Sequence, residues 1–263
     1  ILGNSGKIIF GSELEGKYML LEEIGMLAAV TSRTRAYLQA LVKADEIPGY
    51  VVLFTDDTEK LDQEFRSYDA EERVEQRYFD DEEPVLFTLE SHHIPYRIVD
   101  SKDINSDEMA KVIQELPQKY LIYSGYGGAI LKPHLFGLGK KFLHIHAGLL
   151  PYYRGSTTAY FSILQEQKIG ATAIFLSEGI DEGNMITGSS FEIPKEEVDI
   201  DYIYEPYIRS RVLLDAIREY HSSHGFAEKK QSVEGAETYY IIHPVLKHLA
   251  IKKTELLQRR NEK

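Results

Sequence analysis

Phe142-Leu143-His144-Ile145-His146-Ala147-Gly148-Leu149-Leu150-Pro151-Tyr152-Tyr153-Arg154-Gly155 begins as a strand and breaks into a glycine/proline turn. Side chains of a strand alternate between its faces, so His144 and His146 share one face while Leu143 and Ile145 pack on the other. Two imidazoles at the carboxyl end of a strand stand where open α/β sheets build their sites.

Working outward, Met26–Ser32 reads as a sheet strand and Thr34–Ala44 as a helix with an apolar stripe at Tyr37, Leu38, Leu41 and Val42. Pro48-Gly49 breaks the chain before the apolar run Tyr50–Phe54. Strand, helix, strand at this spacing predicts parallel βαβ units, hence an α/β fold with a mostly parallel sheet. Pro84–His92 reads as a helix and Pro95–Asp100 as a strand. Ser106 is placed to cap a helix over Ser106–Leu116, and Tyr120–Ser124 reads as a further strand. Gly125-Tyr126-Gly127-Gly128 follows it and matches neither the dinucleotide fingerprint nor a P-loop.

After the histidine strand the pattern predicts a helix over Ser156–Gln167, a strand over Ala171–Leu176 and a short one at Phe191–Ile193. A helix over Tyr202–Tyr220, a late strand over Thr238–Ile242 and a short helix from His243 to His248 complete it. Before Met26, Lys7–Gly11 and Lys17–Leu21 read as the arms of a hairpin. The expected division is therefore an N-terminal hairpin at 1–25, a catalytic domain at 26–222 and a short C-terminal α/β extension at 223–263.

The 263 residues are 43% hydrophobic, enough for a core. Thirty Lys and Arg against 42 Asp and Glu leave a formal charge of −12, which argues against a broad nucleic-acid surface. Thirteen of those acids fall in residues 56–83 with four Lys/Arg, a pattern that predicts a solvated helix or loop rather than a metal site. There is no cysteine, so thiolate and disulfide chemistry are excluded. No run nears the ~18–20 apolar residues of a membrane helix and no signal-peptide pattern is visible, so a cytoplasmic protein is expected. The chain opens on Ile rather than Met, the expectation being a start that is trimmed or not included.

The histidine stretch resembles the signature of the folate-dependent formyltransferases, Asn-x-His-x-Ser-Leu-Leu-Pro followed by Arg-Gly. Gly170–Gly183 is similar to that family's second strand, whose loop carries an essential aspartate. The likeness is clear over about residues 118–190 and looser over 26–220. It implies a Rossmann-like core and a one-carbon transferase that uses 10-formyltetrahydrofolate, with no metal. His146 takes the family's histidine position and Asp181 its aspartate, while His144 stands where the family has asparagine and Gly148 where it has serine. Gly125, Gly127, Gly128 and Ile130, together with Ser177, Glu178, Gly179 and Ile180, match the loops that in the family face the folate. Gly148, Tyr153 and Arg154 fall where the acceptor would bind, and Arg154 suits either an anion of the acceptor or a salt bridge pinning its loop.

The expected acceptor is a small-molecule amine, with a nucleotide-linked amino sugar as the first choice. A methionyl-tRNA formyltransferase-like protein lacking the family's basic C-terminal domain, a purine-pathway enzyme, a relative with another acyl donor and a non-catalytic binder are the rivals. The residue types His144, His146 and Asp181 also compose a two-histidine, one-carboxylate set that suits zinc or non-haem iron. No segment demands an oligomer, and a homodimer stays open.

Overall fold

The computed structural model describes residues 18–72, 76–232 and 234–261. The chain forms two compact units, Ile1–Phe142 and Leu143–Lys263. In the first, β1 (Met19–Ala29), β2 (Glu46–Thr55), β3 (Tyr96–Asp100) and β4 (Tyr120–Ser124) pair in the order β3-β2-β1-β4. Every one of these pairings is parallel. Residues 24–29 and 51–55 are buried without a break, as strands covered on both faces require. The connecting helices are α1 (Ser32–Lys43), α2 (Thr58–Ser67), α3 (Val85–Ser91), α4 (Asp107–Glu115) and α5 (Pro133–Phe136). The Thr31 hydroxyl caps α1 by accepting from the Thr34 N–H at 3.2 Å, and Ser106 caps α4 through the Met109 N–H at 3.2 Å.

Two expectations for this unit change. The strand expected from Met26 begins at Met19: Met19–Leu21, expected in the second arm of a hairpin, pair in parallel with Glu46–Pro48. Exposed Glu22 and Glu23, at a register shift between Leu21 and Gly25, break the apolar pattern and conceal that continuity. The other arm, Lys7–Gly11, lies outside the described residues. Of the acidic segment, Thr58–Ser67 forms α2, the solvated helix expected there, which buries Leu61 and pairs charges four residues apart, Asp62 with Arg66 at 2.7 Å and Lys60 with Glu64 at 3.8 Å. Asp80 and Glu83, further on, are buried against that expectation.

In the second unit β5 (Lys141–His146), β7 (Lys168–Phe175) and β8 (Met185–Glu192) pair antiparallel in the order β5-β7-β8. A two-residue strand β6 (Arg154–Gly155) pairs in parallel with β9 (Thr238–Tyr239). The helices are α6 (Thr158–Glu166), α7 (Glu205–Ser223) and α8 (Pro244–Asn261). Helix α7 buries Ile208, Val212, Leu213, Ala216 and Ile217 on one face, at about 1.5–3 kcal/mol for each large aliphatic residue. Its buried Arg209 is paired with Glu205 at 2.6 Å.

Strand β8 begins six residues earlier than expected, because Gly188-Ser189-Ser190 carry little strand signal. The late strand is shorter: Tyr240 and Ile241 look like strand residues but are each 81% exposed. Helix α8 runs well beyond His248, through a charged stretch that reads in sequence as a tail. Among the described residues no helix is long and apolar enough to cross a membrane.

Candidate active site

The register of β5 against β7 sets His144 opposite Ile174 and His146 opposite Thr172. Beyond His146 the chain turns back sharply, and Thr172 fastens that turn. Its fully buried hydroxyl donates to the Gly148 carbonyl at 2.7 Å and accepts from the Leu150 N–H at 3.0 Å. The Thr158 hydroxyl donates to the Ala147 carbonyl from the other side. The turn ends with the Leu150–Pro151 peptide in the cis form and Tyr153 folded back over the strand end.

That fold-back places the Tyr153 carbonyl oxygen 2.6 Å from Nε2 of His146. On the other side of the ring, Nδ1 lies 3.3 Å from Oδ1 of Asp181. Both partners are acceptors, so neither can donate to the ring. Asp181 sits in the left-handed region at φ 54°, a conformation aspartate tolerates better than most residues. Its Oδ2 accepts from the Gly155 N–H at 2.9 Å, where Gly155 itself has φ 94°. Burial pushes the Asp181 carboxyl up. The hydrogen bond and charge of His146, the Gly155 N–H and the charge of His144 outweigh it and hold the carboxyl at about 2. Donor atoms of His144, His146 and Asp181 all lie within 4.8 Å of one another.

Gly148 has a local reason. A Cβ there would come 2.5 Å from the Tyr153 carbonyl oxygen and 2.8 Å from Nε2 of His146, so the absence of a side chain admits that bond. Tyr153 contributes that carbonyl, whereas its ring is buried and stacks on Tyr239 with centroids 5.4 Å apart. Its hydroxyl donates to Glu166 Oε1 at 2.7 Å with Gln165 Oε1 also near at 2.9 Å, and burial together with Glu166 pushes it well above the usual tyrosine range. The Arg154 guanidinium, 11% exposed, donates to Oε1 of Gln231 from Nε at 3.2 Å and Nη2 at 2.8 Å, and faces Glu182 at 3.8 Å. These contacts tie the Arg154 side chain to the neighbouring segments, as a residue that pins its loop would be tied.

A family model described as "Formyl transferase" matches residues 67–205, more than half of the chain. The chain belongs to the formyl transferase family. A methionyl-tRNA formyltransferase of Desulforamulus reducens is 34% identical over 112 residues, which are 42% of this chain and 34% of that protein. The chain thus matches about a third of the length of this curated relative. An N-formyltransferase from Helicobacter canadensis, solved with folinic acid and dTDP-3-aminofucose, superposes with TM-score 0.52 at 18% identity, covering 83% of this chain and 70% of that one. Glycinamide ribonucleotide transformylase 1 from Symbiobacterium toebii gives TM-score 0.53 at 17% identity over 87% and 100% of the two chains. At such identities these two likenesses speak for the fold, and they agree with the α/β fold read from the strand pattern and the Rossmann-like core that the resemblance implies.

Against that formyl transferase background the remaining predicted residues divide. Ser177, Glu178 and Ile180 are exposed on the loop that precedes Asp181, with Gly179 half-buried among them, and the Ser177 hydroxyl donates to the Gly179 carbonyl at 3.4 Å. In the first unit Gly125 is buried beneath the Tyr123 hydroxyl, and its carbonyl accepts from Arg33. Gly127 and Gly128 face open space, and Ile130 is 63% exposed. Sequence reasoning missed Gln231. Its amide nitrogen donates to the carbonyls of Asp181 at 2.7 Å and Gly183 at 2.8 Å, while its oxygen holds Arg154. It lies in a polar connection with no periodicity, fifty residues from Asp181, and nothing local distinguishes it from other surface glutamines.

Proposed function

We propose that the chain is an N-formyltransferase that moves a formyl group from 10-formyltetrahydrofolate to the amine of a small acceptor. The observation that carries this reading is His146 held between the Asp181 carboxylate at 3.3 Å and the Tyr153 carbonyl at 2.6 Å, at the end of a strand that bears the family signature. In the transfer, the acceptor nitrogen bonds to the formyl carbon and the tetrahedral centre collapses with loss of the bond to the folate nitrogen. One proton leaves the acceptor amine and one reaches the departing nitrogen.

His146 is the group suited to carry that proton, and Asp181 stabilises the charged ring as it does so. His144, in place of the family's asparagine, offers an imidazole N–H to the oxygen of the tetrahedral centre. A well-placed donor of this kind lowers the barrier by about 3 kcal/mol. Within the second unit the 177–180 loop is the candidate for holding the folate, with exposed Ile180 offering apolar contact to a flat heterocycle. The acceptor we favour is an amino sugar carried on a nucleotide, which the ligands named for the Helicobacter canadensis enzyme support by likeness of fold.

The test is turnover of 10-formyltetrahydrofolate by the EDTA-treated chain with a panel of amines, beside thermal-shift titration with 5-formyltetrahydrofolate. A ligand at a hundred times its Kd stabilises by about 2.7 kcal/mol. The expected result is a folate-dependent shift and acceptor-dependent release of tetrahydrofolate, largest with nucleotide-linked amino sugars. Neither shift nor turnover with any amine would overturn the reading.

A further inference from the structure

The replacement of asparagine by histidine at residue 144 does more than exchange one hydrogen-bond donor for another. It gives the site a third side chain able to ligate a metal. Nδ1 of His146 and Oδ1 of Asp181 are 3.3 Å apart. Two ligands of one tetrahedral ion with bonds of ~2.1 Å stand about 3.4 Å apart, so this pair already has the required separation. A nitrogen of His144 lies within 4.8 Å of both. It shares a face of β5 with His146, so closing the set asks for a side-chain movement and not a change of fold.

The surroundings are those that metal ligands need. A ligating histidine donates its other N–H to a carbonyl or carboxylate, which fixes the tautomer, and a ligating carboxylate is itself hydrogen-bonded. Nε2 of His146 donates to the Tyr153 carbonyl at 2.6 Å, leaving Nδ1 as the ligating nitrogen. The free oxygen of Asp181 accepts from the Gly155 N–H at 2.9 Å. His146 is 4% exposed, and the Asp181 side chain 11%. Two imidazoles and one carboxylate with a position left open form the donor set of catalytic zinc and non-haem iron sites.

We propose that His144, His146 and Asp181 bind a divalent transition cation of the zinc class, and that the occupied site does not transfer formyl groups. The second half rests on the formyltransferase reading above. A cation on Nδ1 takes the place of the proton that the ring exchanges beside Asp181, so the occupied ring neither takes up nor gives one. Binding of metal would then oppose turnover instead of serving it.

The first experiment uses Co²⁺ alone as probe, titrated into the EDTA-stripped, desalted full chain and followed by its visible ligand-field absorption. The expected result is saturation at one ion per chain, displacement by Zn²⁺, and binding at least tenfold weaker in both His144→Asn and Asp181→Asn. No saturable band in the unaltered chain, or a His144→Asn variant that binds as well, would overturn the site. Far-UV circular dichroism verifies that the variants fold. Independently of them, Co²⁺ should slow carbethoxylation of His144 and His146 in the unaltered chain, and equal labelling with and without Co²⁺ counts against the site. Saturating Zn²⁺ should then cut formyl transfer at least tenfold, with EDTA restoring it, whereas turnover unchanged by bound Zn²⁺ overturns the inhibitory half. Metal-free protein that binds Co²⁺ but turns over no amine would sink the formyltransferase reading and leave the metal site standing.

Discussion

The backbone carbonyl of Tyr153 lies 2.6 Å from Nε2 of His146, so one face of the imidazole is held by the main chain and not by a side chain. No substitution of residue 153 removes that bond directly. It depends on the course of the turn between the two residues, and therefore on the groups that shape the turn.

Gly148→Ala is the sharpest probe of that turn. The added Cβ would meet the Tyr153 carbonyl oxygen at 2.5 Å and His146 Nε2 at 2.8 Å, and one of them must move. Overpacking of this kind costs about 1–3 kcal/mol. Urea denaturation should register that loss, and formyl transfer should fall by more than tenfold because the displaced group is His146 or its support. A variant with unchanged stability and turnover would mean that the turn yields freely.

Thr172 supports the same turn from the neighbouring strand through two hydrogen bonds from a fully buried hydroxyl. Thr172→Val keeps the shape and removes both, leaving the Gly148 carbonyl and Leu150 N–H without it. Each such loss costs about 1–1.5 kcal/mol, so a fall of 2–3 kcal/mol is expected, roughly 5 °C or more in Tm. Thr172→Ser retains the hydroxyl and gives up a methyl group, at about 1 kcal/mol. Equal melting of the two variants would show that the hydroxyl does not hold the turn.

These supports also mark how far the sequence could be read. The two histidines on one face were legible because strand alternation is local, and the loop aspartate because it sits in a recognisable block a few residues past a strand. The role of Gly148 was not legible, since it depends on where a carbonyl five residues away is folded. Thr172 looked like any β-branched strand residue, and its partners 22 and 24 residues back are defined only by the antiparallel register. The parallel strands showed themselves through continuous apolar runs. The glycine- and serine-rich start of β8, and the part of β1 that precedes its two glutamates, did not.

Asp181 makes stability depend on pH in a definite direction. Its folded carboxyl is held at about 2, below the ~3.9 of an unfolded aspartate, so the native state binds this proton less readily. The stability it contributes is present above about pH 4 and is lost as pH falls through about 2. By that linkage the unaltered chain should exceed Asp181→Asn by about 2 kcal/mol at pH 6 and by less than about 1 kcal/mol at pH 2.5. Urea titrations of both proteins across this range measure the difference. A gap that stays constant would place the stabilisation outside the titrating carboxylate.

Gln231 joins the loop of Asp181 to Arg154, and its two halves can be separated. The amide oxygen accepts from Arg154, while the amide nitrogen donates to the carbonyls of Asp181 and Gly183. Gln231→Glu keeps the acceptor for Arg154 but loses both donated bonds and sets a carboxylate against two carbonyl oxygens. Gln231→Ala loses everything. If the donated bonds brace the loop, both variants should lose about 1–3 kcal/mol and exchange the Gly155 amide hydrogen faster, because that N–H is protected by Asp181 Oδ2. Formyl transfer should fall in both, with the glutamate no better than the alanine. Hydrogen exchange of the 154–156 and 177–184 segments reads this directly. Native-like protection in Gln231→Glu alone would assign the bracing to the Arg154 contact, and the loop would then be held from the arginine side.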